Sequence, residues 1–197
     1  MKILHTSDLH FNQRHFEWVA SQRDNYDVFC MTGDFLDETQ GDLEGQIIWV
    51  RQWIKVFRKP LFVCSGNHDI NVEDSENWLN EIDIKNYYCD GMKKTIDGIT
   101  FMSAPFENYD GFADFSCDVL LNHVPPEKSL TAIEDGTDKG DNLLYQVLKH
   151  KIIQPKVLLC GHVHEPEKVV DKLNGCTIYN PGLEVKGAVP KCSVIEL

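Results

Sequence analysis

The chain has 197 residues, with 31 acidic and 19 basic side chains and a formal net charge of -12. This length predicts a single domain over residues 1–197. The composition, with 42% hydrophobic and 25% charged residues, is typical of a globular rather than a disordered protein. No apolar stretch approaches the roughly 20 residues of a membrane span, and the first residues predict no signal peptide, so we expect a cytoplasmic protein without a membrane partner. The negative charge argues against extended nucleic-acid binding, which depends on many Lys and Arg contacts to phosphate. It leaves open a local site that binds phosphate through metal ions.

The seven cysteines are an odd number and include no C-x-x-C pair. We therefore expect no disulfide framework, which agrees with a reducing compartment. Cys30, Cys64 and Cys160 each lie at the end of an apolar run. They are predicted to be small buried side chains at strand ends.

Five short apolar runs predict strands, and the longer segments between them carry helical periodicity. The predicted strands are residues 2–6, 27–31, 61–64, 118–121 and 157–160. Near-continuous apolar runs favour strands that helices cover on both faces. The predicted helices are residues 14–23, 43–57, 75–81 and 141–153.

Two turn dipeptides predict β-hairpins in the second half of the chain. They are Asp97-Gly98 between 94–96 and 99–101, and Asn174-Gly175 between 169–173 and 176–179. Residues 192–197 predict a last strand. The polar segment 125–140 contains Gly and paired Pro, which predicts a mobile loop within the domain.

Polar side chains follow each of the five apolar runs. In chain order they are Asp8-Leu9-His10, Gly33-Asp34 with Asp37, Gly66-Asn67-His68-Asp69, His123, and Gly161-His162-Val163-His164. Because ligands of open α/β sheets bind beyond the carboxyl ends of the strands, we expect these side chains to lie together at one sheet edge. Most of these motifs, taken singly, could be a cap or a turn. Burying so many carboxylates and imidazoles together without a cation would be costly, so the set predicts a metal centre.

The candidate ligands are carboxylates, an amide and imidazoles, without a thiolate. This donor set favours Mn²⁺, with Fe, Zn²⁺ or Ni²⁺ as alternatives, over Ca²⁺ or a structural zinc. Seven candidate ligands exceed what one ion needs. We therefore predict two divalent ions that share one bridging carboxylate.

The blocks D-x-H, G-D-x-x-D, G-N-H-[DE], H and G-H-x-H occur complete and in order from Asp8 to His164. In this respect the sequence resembles the calcineurin-like metallophosphoesterases. The resemblance implies an α/β fold, a four-layer α/β/β/α sandwich with two mixed sheets flanked by helices. It also implies a site in which Asp34 bridges two metals. The implied ligands are Asp8, His10, Asp34 and His164 for the first metal, and Asp34, Asn67, His123 and His162 for the second.

The resemblance further implies that His68 is the catalytic histidine and that Asp37 orients its imidazole. Asn67 and His68 would also contact the substrate. The reaction would be attack of a metal-activated hydroxide on phosphorus, with His68 donating a proton to the leaving oxygen. Asp37 would hold that imidazole charged and correctly turned.

The sequence favours only some of the substrates that this resemblance implies. Protein phosphatases resembling calcineurin carry Arg-Gly after the position of Asp37 and Glu after the Gly-Asn-His motif, whereas this chain has Glu38 and Asp69 at these places. Residues 4–10 resemble the opening of double-strand-break repair nucleases, which are longer. We therefore favour a small, nucleotide-like phosphodiester or phosphomonoester. A nuclease acting on DNA or RNA ends and a metal-bearing scaffold without activity are the alternatives, and the oligomeric state is left open.

Three further segments could lie near the substrate. The two interpretations of the aromatic residues have comparable weight, whereas solvation is favoured for the two lysines. Aromatic side chains of residues 105–115 either stack a nucleobase or close the core; they are Phe106, Tyr109, Phe112 and Phe115. Lys128 and Lys139 either reach a phosphate or are solvated. Asn180-Pro181-Gly182 is predicted as a turn near the metals without a chemical role.

Overall fold

The first three predicted strands lie side by side in a computed structural model, which describes residues 1–70, 77–106 and 116–197. They belong to a sheet whose order is β13 (Cys192–Glu196), β1 (Lys2–Thr6), β2 (Val28–Thr32), β3 (Leu61–Cys64) and β4 (Tyr87–Tyr88). The four strands β1 to β4 are parallel, and β13 pairs antiparallel to β1. The carboxyl ends of the first three strands therefore meet at one edge.

A second mixed sheet holds both predicted hairpins. Its order is β11 (Val170–Leu173), β12 (Cys176–Tyr179), β10 (Val157–Leu159), β7 (Val119–Leu121), β6 (Ile99–Ser103) and β5 (Lys93–Ile96). The hairpins β5–β6 and β11–β12 are antiparallel, as the two turn dipeptides predict. The central strands β12, β10, β7 and β6 are parallel, so β7 and β10 also end at a common edge.

Helices cover the outer face of each sheet. They are α1 (Gln13–Ser21), α2 (Leu43–Val56) and α3 (Asn142–Lys149). The carboxylates of Asp42 and Asp141 cap α2 and α3 by accepting from backbone N–H groups three residues on. The apolar stripes of α1 and α2 pack on the first sheet, and that of α3 packs on the second.

A third apolar cluster lies between the two sheets. At its centre the ring of Phe62 stacks between Tyr88 and Phe101, with centroid distances of 4.7 and 4.6 Å. The layers are therefore helix, sheet, sheet and helix, which confirms the predicted four-layer sandwich. The expectation that helices cover both faces of each strand was wrong. One face of each sheet is covered by the other sheet, and an apolar run looks the same in either case.

Two local predictions were also wrong. Residues 78–81 of the predicted helix 75–81 form turns, and the side chain of Asn77 accepts a hydrogen bond from the backbone N–H of Leu79. Residues 75 and 76 lie outside the described residues. The predicted mobile loop 125–140 instead contains the hairpin β8 (Ile133–Glu134) and β9 (Thr137–Asp138).

The described cysteines are all free thiols, and Cys30, Cys64 and Cys160 are buried, as their positions predict. Within the described ranges, no helix is long and apolar enough to cross a membrane.

Candidate active site

Asp8 and Asp34 follow the neighbouring parallel strands β1 and β2. The backbone joins them, because Asp8 N donates to Gly33 O (3.1 Å) and His10 N donates to Asp34 O (3.0 Å). Both carboxylates are buried. Parallel pairing thus brings two carboxylates that are 26 residues apart in the chain to one edge.

Four of the candidate ligands have left-handed backbone conformations. The φ angles are 53° at Asp8, 39° at His10, 54° at Asp34 and 66° at His162. Residues with a side chain rarely adopt this conformation, and it persists only where the surroundings hold it. The turns at these strand ends are therefore constrained in a way that is common at functional sites.

The first group of converging side chains consists of Asp8, His10, Asp34 and His164. One ligand atom from each lies within 4.8 Å of the others. His164 Nε2 lies 3.5 Å from Asp8 Oδ1, and His10 Nε2 lies 3.9 Å from Asp34 Oδ2. His10 Nε2 is buried and has no hydrogen-bond partner. Because buried polar atoms are normally paired, this nitrogen and two carboxylates fit a divalent cation.

The second group consists of Asn67, His123 and His162, again with Asp34. Asn67 Oδ1 lies 3.1 Å from His123 Nε2 and 2.9 Å from His162 Nδ1, and Asp34 Oδ2 lies 3.3 Å from His123 Nε2. His123 Nδ1 faces the carbonyl oxygen of Thr32 at 2.6 Å, so Nδ1 must be the donor. A backbone carbonyl that fixes the tautomer in this way leaves Nε2 available to a metal.

The electrostatics of the two groups are dominated by burial and by Asp34. Burial opposes ionisation of Asp34, but His123 and the backbone N–H of His68 hold the pKa of Asp34 below its usual value. Burial likewise opposes a charge on His123, yet the Asp34 carboxylate raises the pKa of His123 to about 9. Burial and the neighbouring His123 lower the pKa of His162 to about 4. Without a cation, the site thus compensates Asp34 by charging His123.

Glycine is required where the strand ends approach each other most closely. A Cβ at Gly66 would lie 2.2 Å from Asp34 Oδ1, and a Cβ at Gly161 would lie 1.7 Å from Ser7 Oγ. The glycines of the Gly-Asn-His and Gly-His motifs therefore make room for the Asp34 carboxylate and for the side chains of Ser7 and Asp8.

Sequence reasoning missed three buried residues that hold the motif loops. The Asp69 carboxylate accepts from the backbone N–H groups of Gly66, Asp34 and Phe35 at 2.8 to 2.9 Å. Burial and the Asp34 charge raise the pKa of Asp69, and these donors oppose that shift.

The second residue is Asn180, whose Nδ2 lies within 3.2 Å of the carbonyl oxygens of Thr131, Gly161 and Val163. Its place after a strand was the available signal, although the turn was predicted without a chemical role.

The third residue is Thr32, which forms hydrogen bonds with three side chains around the site. Its carbonyl oxygen accepts from Ser7 Oγ (2.7 Å) as well as from His123 Nδ1, and its hydroxyl pairs with His5 Nε2 (2.8 Å). A backbone carbonyl leaves no signature in a sequence. This contact could only be found in the fold.

His5 gives a testable pH dependence. It is fully buried, and burial lowers the pKa of His5 to about 3 from an unfolded value of about 6.5. The unfolded chain therefore binds the proton first, and the stability associated with neutral His5 is lost as pH falls below 6.5. Between pH 7 and pH 5 we expect a loss of about 2 kcal/mol from this group.

The measurement is the free energy of unfolding of metal-free protein in urea at pH 7 and pH 5, for the wild type and His5→Gln. Gln can keep a hydrogen bond to Thr32 but does not titrate. The difference between the two pH values should shrink by about 2 kcal/mol in the variant. An equal difference in both proteins would show that His5 does not become charged on unfolding.

His68 lies beside the first group, with its ring centroid 4.9 Å from that of His10. Its backbone N–H donates to Asp34 Oδ1 at 3.0 Å. The carboxylate near its Nδ1 is that of Glu38, whose Oε1 is 3.9 Å away. The predicted partner, Asp37, instead accepts hydrogen bonds from Thr39 and Gln40 and caps a short 3₁₀ helix, Glu38–Gln40; no ion pair joins it to His68 within the described ranges.

The loop residues considered for substrate contact are only partly described. Phe106 lies with its ring centroid 5.9 Å from that of His123, whereas Tyr109, Phe112 and Phe115 fall outside the described residues. Lys139 pairs with Glu134, and Lys128 Nζ lies 4.5 Å from the centroid of the Tyr145 ring. These two lysines have protein partners rather than a free position facing the metal centre.

A cleft of about 850 Å³ adjoins the first group. His10, His68 and His164 line it, together with residues 11–14 and 183–187. A small ligand in this cleft would contact the imidazoles directly. The site therefore combines a candidate metal centre, the His68 imidazole and a cleft with room for a small ligand.

Two mixed sheets lie between helices, and carboxylates and imidazoles gather where the strands end. The chain belongs to the calcineurin-like phosphoesterase family, whose model matches residues 1–166. This confirms the resemblance that the five blocks carry. No curated protein sequence matches the chain.

Solved structures of similar fold cover nearly the whole chain at low identity. The protein TT1561 of Thermus thermophilus is 11% identical, with a TM-score of 0.68 and 98% and 97% of the two chains covered. A novel archaeal phosphodiesterase is 17% identical, with a TM-score of 0.51 and 99% and 100% covered. The NAD nucleotidase of Haemophilus influenzae is 14% identical, with a TM-score of 0.57, and the match covers 92% of this chain and 44% of that one.

Proposed function

We propose that this protein uses two divalent ions to hydrolyse a phosphodiester or phosphomonoester of a small, nucleotide-like substrate. The favoured metal is Mn²⁺. The observation that carries the proposal is the convergence of seven potential ligands in two groups around Asp34, beside a cleft that His68 lines. Fe, Zn²⁺ and Ni²⁺ suit the same donors. Two divalent ions held there would act as Lewis acids on the phosphoryl oxygens and lower the pKa of an attacking water.

The proposed ligands follow from the two groups. Asp8, His10 and His164 would hold one ion, and Asn67, His123 and His162 would hold the other. Asp34 would serve both, because its carboxylate lies near imidazoles of each group. His10 Nε2, which is buried without a partner, supports this assignment most directly.

His68 would donate the proton that the leaving oxygen needs. Its Nδ1 is buried and faces Glu38, while the side chain is 31% exposed and lines the cleft. The proton would therefore come from Nε2 on the exposed edge of the ring. General acid catalysis of this kind contributes about 10² to 10⁴ in rate.

We propose that Glu38, rather than Asp37, orients the His68 ring. Glu38→Gln should lower kcat for an alkyl phosphodiester about tenfold and lower it less for a 4-nitrophenyl ester, because a good leaving group needs little proton donation. The measurement compares kcat for the two esters in Glu38→Gln, Asp37→Asn and the control Glu44→Gln, which alters an exposed carboxylate on α2. A larger leaving-group effect in Asp37→Asn than in Glu38→Gln would return this role to Asp37.

The function is tested with a panel of substrates and purified protein. A phosphomonoester, a phosphodiester, a cyclic nucleotide and single-stranded DNA are each incubated with Mn²⁺ and with a chelator. We expect metal-dependent hydrolysis of the small esters. Selective cleavage of the DNA would favour the nuclease, and no hydrolysis by fully metal-loaded protein would favour the scaffold.

A further inference from the structure

We propose that Asn180 is a positioning residue for both metal ions, because its carboxamide fixes the turn Gly161–His164 that carries one ligand of each ion. This role rests on the proposed function, since the two ions are those of that site. Asn180 follows β12 and belongs to none of the five sequence motifs. It would act on the reaction only through the ligands that it positions.

His162 and His164 belong to different ligand groups, although a single residue separates them in the chain. His162 Nδ1 lies 2.9 Å from Asn67 Oδ1, in the second group. His164 Nε2 lies 3.5 Å from Asp8 Oδ1, in the first group. Val163 between them is fully buried, so the protein encloses the middle of this turn. A shift of the turn's backbone would therefore move a ligand of each ion.

The backbone of this turn has a conformation that needs support. Val163 N donates to the carbonyl oxygen of Gly161 at 2.7 Å, which closes a three-residue turn around His162. The φ of His162 is 66°. A three-residue turn with a positive φ at its centre is the rare and strained form, and it persists only where neighbouring groups hold it. The groups that hold it therefore decide where the two imidazoles lie.

The side chain of Asn180 supplies this support. Its Nδ2 donates to the carbonyl oxygens of Gly161 and Val163, at 2.9 and 3.0 Å, one on each side of the strained residue. The carbonyl oxygen of Thr131 is a third acceptor, at 3.2 Å. Carbonyl oxygens only accept, so the atom that faces all three must be the amide nitrogen. The amide oxygen in turn accepts from Gly182 N at 2.9 Å, so this fully buried carboxamide is engaged at both ends.

The residues after Asn180 hold the far end of the turn. Leu183 N donates to the carbonyl oxygen of His164 at 2.9 Å. Gly182 has a φ of 74°, and a Cβ there would lie 2.5 Å from the same oxygen. The turn follows β10 and Asn180 follows β12, which are neighbouring parallel strands. The second sheet therefore fixes the two strand ends between which these hydrogen bonds form.

The turn also joins the two ligand groups through its backbone. His162 N donates to both carboxylate oxygens of Asp8, each at 3.1 Å. A residue whose imidazole belongs to the second group thus orients a carboxylate of the first. Loss of the Asn180 amide would take a donor from two buried carbonyl groups and remove the support of the strained turn. We therefore expect the binding of both ions to weaken together.

The test is calorimetric titration of metal-free protein with Mn²⁺. Asn180→Leu keeps a side chain of similar size without a donor, and Asn180→Ala removes the carboxamide altogether. Both variants should still bind two ions, each at least about tenfold more weakly than the wild type, which is the usual effect of removing a group that orients a ligand.

Two control variants separate this effect from a general loss of stability. Ile178→Ala opens a cavity at a fully buried position of β12, two residues before Asn180, and so destabilises the same strand. Asn25→Ala removes an exposed amide outside the site. Both controls should bind each Mn²⁺ ion within about twofold of the wild-type affinity.

Electron paramagnetic resonance of the protein saturated with Mn²⁺ gives a second readout. The spectrum of two ions that share a carboxylate depends on how one ion lies relative to the other. We expect Asn180→Leu and Asn180→Ala to change this spectrum and Ile178→Ala to leave it as in the wild type. A role of Asn180 in stability alone would not produce this difference.

Wild-type affinities and spectra in both Asn180 variants would overturn the inference, as would weakening of only one ion or equal weakening in Ile178→Ala. Failure of both Asn180 variants to fold would also overturn it, because Asn180 would then support the fold as a whole. In each of these cases, a wild type that binds two ions leaves the proposed metal centre intact. A wild type that does not bind two ions would instead contradict the proposed function, and this role of Asn180 with it.

Discussion

Replacing His68 with Ala is expected to lower kcat by about 10² to 10⁴ and to leave the metal content unchanged. The two effects separate because different atoms produce them. The imidazole lines the cleft and would donate the proton, whereas the contact of His68 with Asp34 is made by its backbone N–H, which Ala retains. Rates with an alkyl phosphodiester, whose poor leaving group needs the proton, and metal content by mass spectrometry measure the two effects on the same sample.

The control for this prediction is His150→Ala, which removes an exposed imidazole at the end of α3. It should retain both the wild-type rate and the wild-type metal content. A His68→Ala enzyme with a rate within twofold of the wild type would remove His68 from the mechanism. Loss of metal in that variant would instead make His68 a ligand.

Asp34→Asn is expected to have the largest effect on metal binding. Asn has nearly the same shape and can still accept from the backbone N–H of His68, but it lacks the charge that both groups share. At 4 Å and an effective dielectric constant of about 20, one unit charge contributes about 4 kcal/mol, or about a thousandfold in affinity. We expect Mn²⁺ affinity to fall by at least that factor and hydrolysis to be lost at micromolar Mn²⁺.

Calorimetric titration with Mn²⁺ measures this effect directly. The matched control is Asp135→Asn, because Asp135 is exposed and has a φ of 50°, a conformation that Asn also tolerates. That variant should bind Mn²⁺ as the wild type does. Wild-type affinity in Asp34→Asn would contradict the assignment of Asp34 as the shared ligand.

The positions of the strand ends could be predicted because local sequence determines them. Each apolar run ends in a turn that carries its own Asp, Asn or His, and parallel pairing brings neighbouring ends together. The division of these strands between two sheets could not be predicted from the runs. A buried strand has the same apolar pattern under a helix as under another sheet, so Leu4 and Ile3 on opposite faces of β1 look alike in the sequence.

The contacts that support the site depended on the fold. Asp37 and Glu38 are adjacent carboxylates, and a local 3₁₀ turn decides which of them faces His68. The contact between His15 and Gly187 joins distant parts of the chain, and neither residue belongs to the five motifs. The motifs therefore could not predict it. Motifs of this kind locate side chains at strand ends, but they do not describe the walls of the cleft around them.

Two metal ions at this site are expected to produce the hydrolysis. Metal-free protein is titrated with Mn²⁺ while bound ions per chain and the rate of hydrolysis of bis(4-nitrophenyl) phosphate are measured together. We predict no hydrolysis without metal, two ions bound per chain at saturation, and a full rate only when the second ion is bound. Hydrolysis that persists in chelator, or a full rate with a single ion, would contradict a two-metal mechanism.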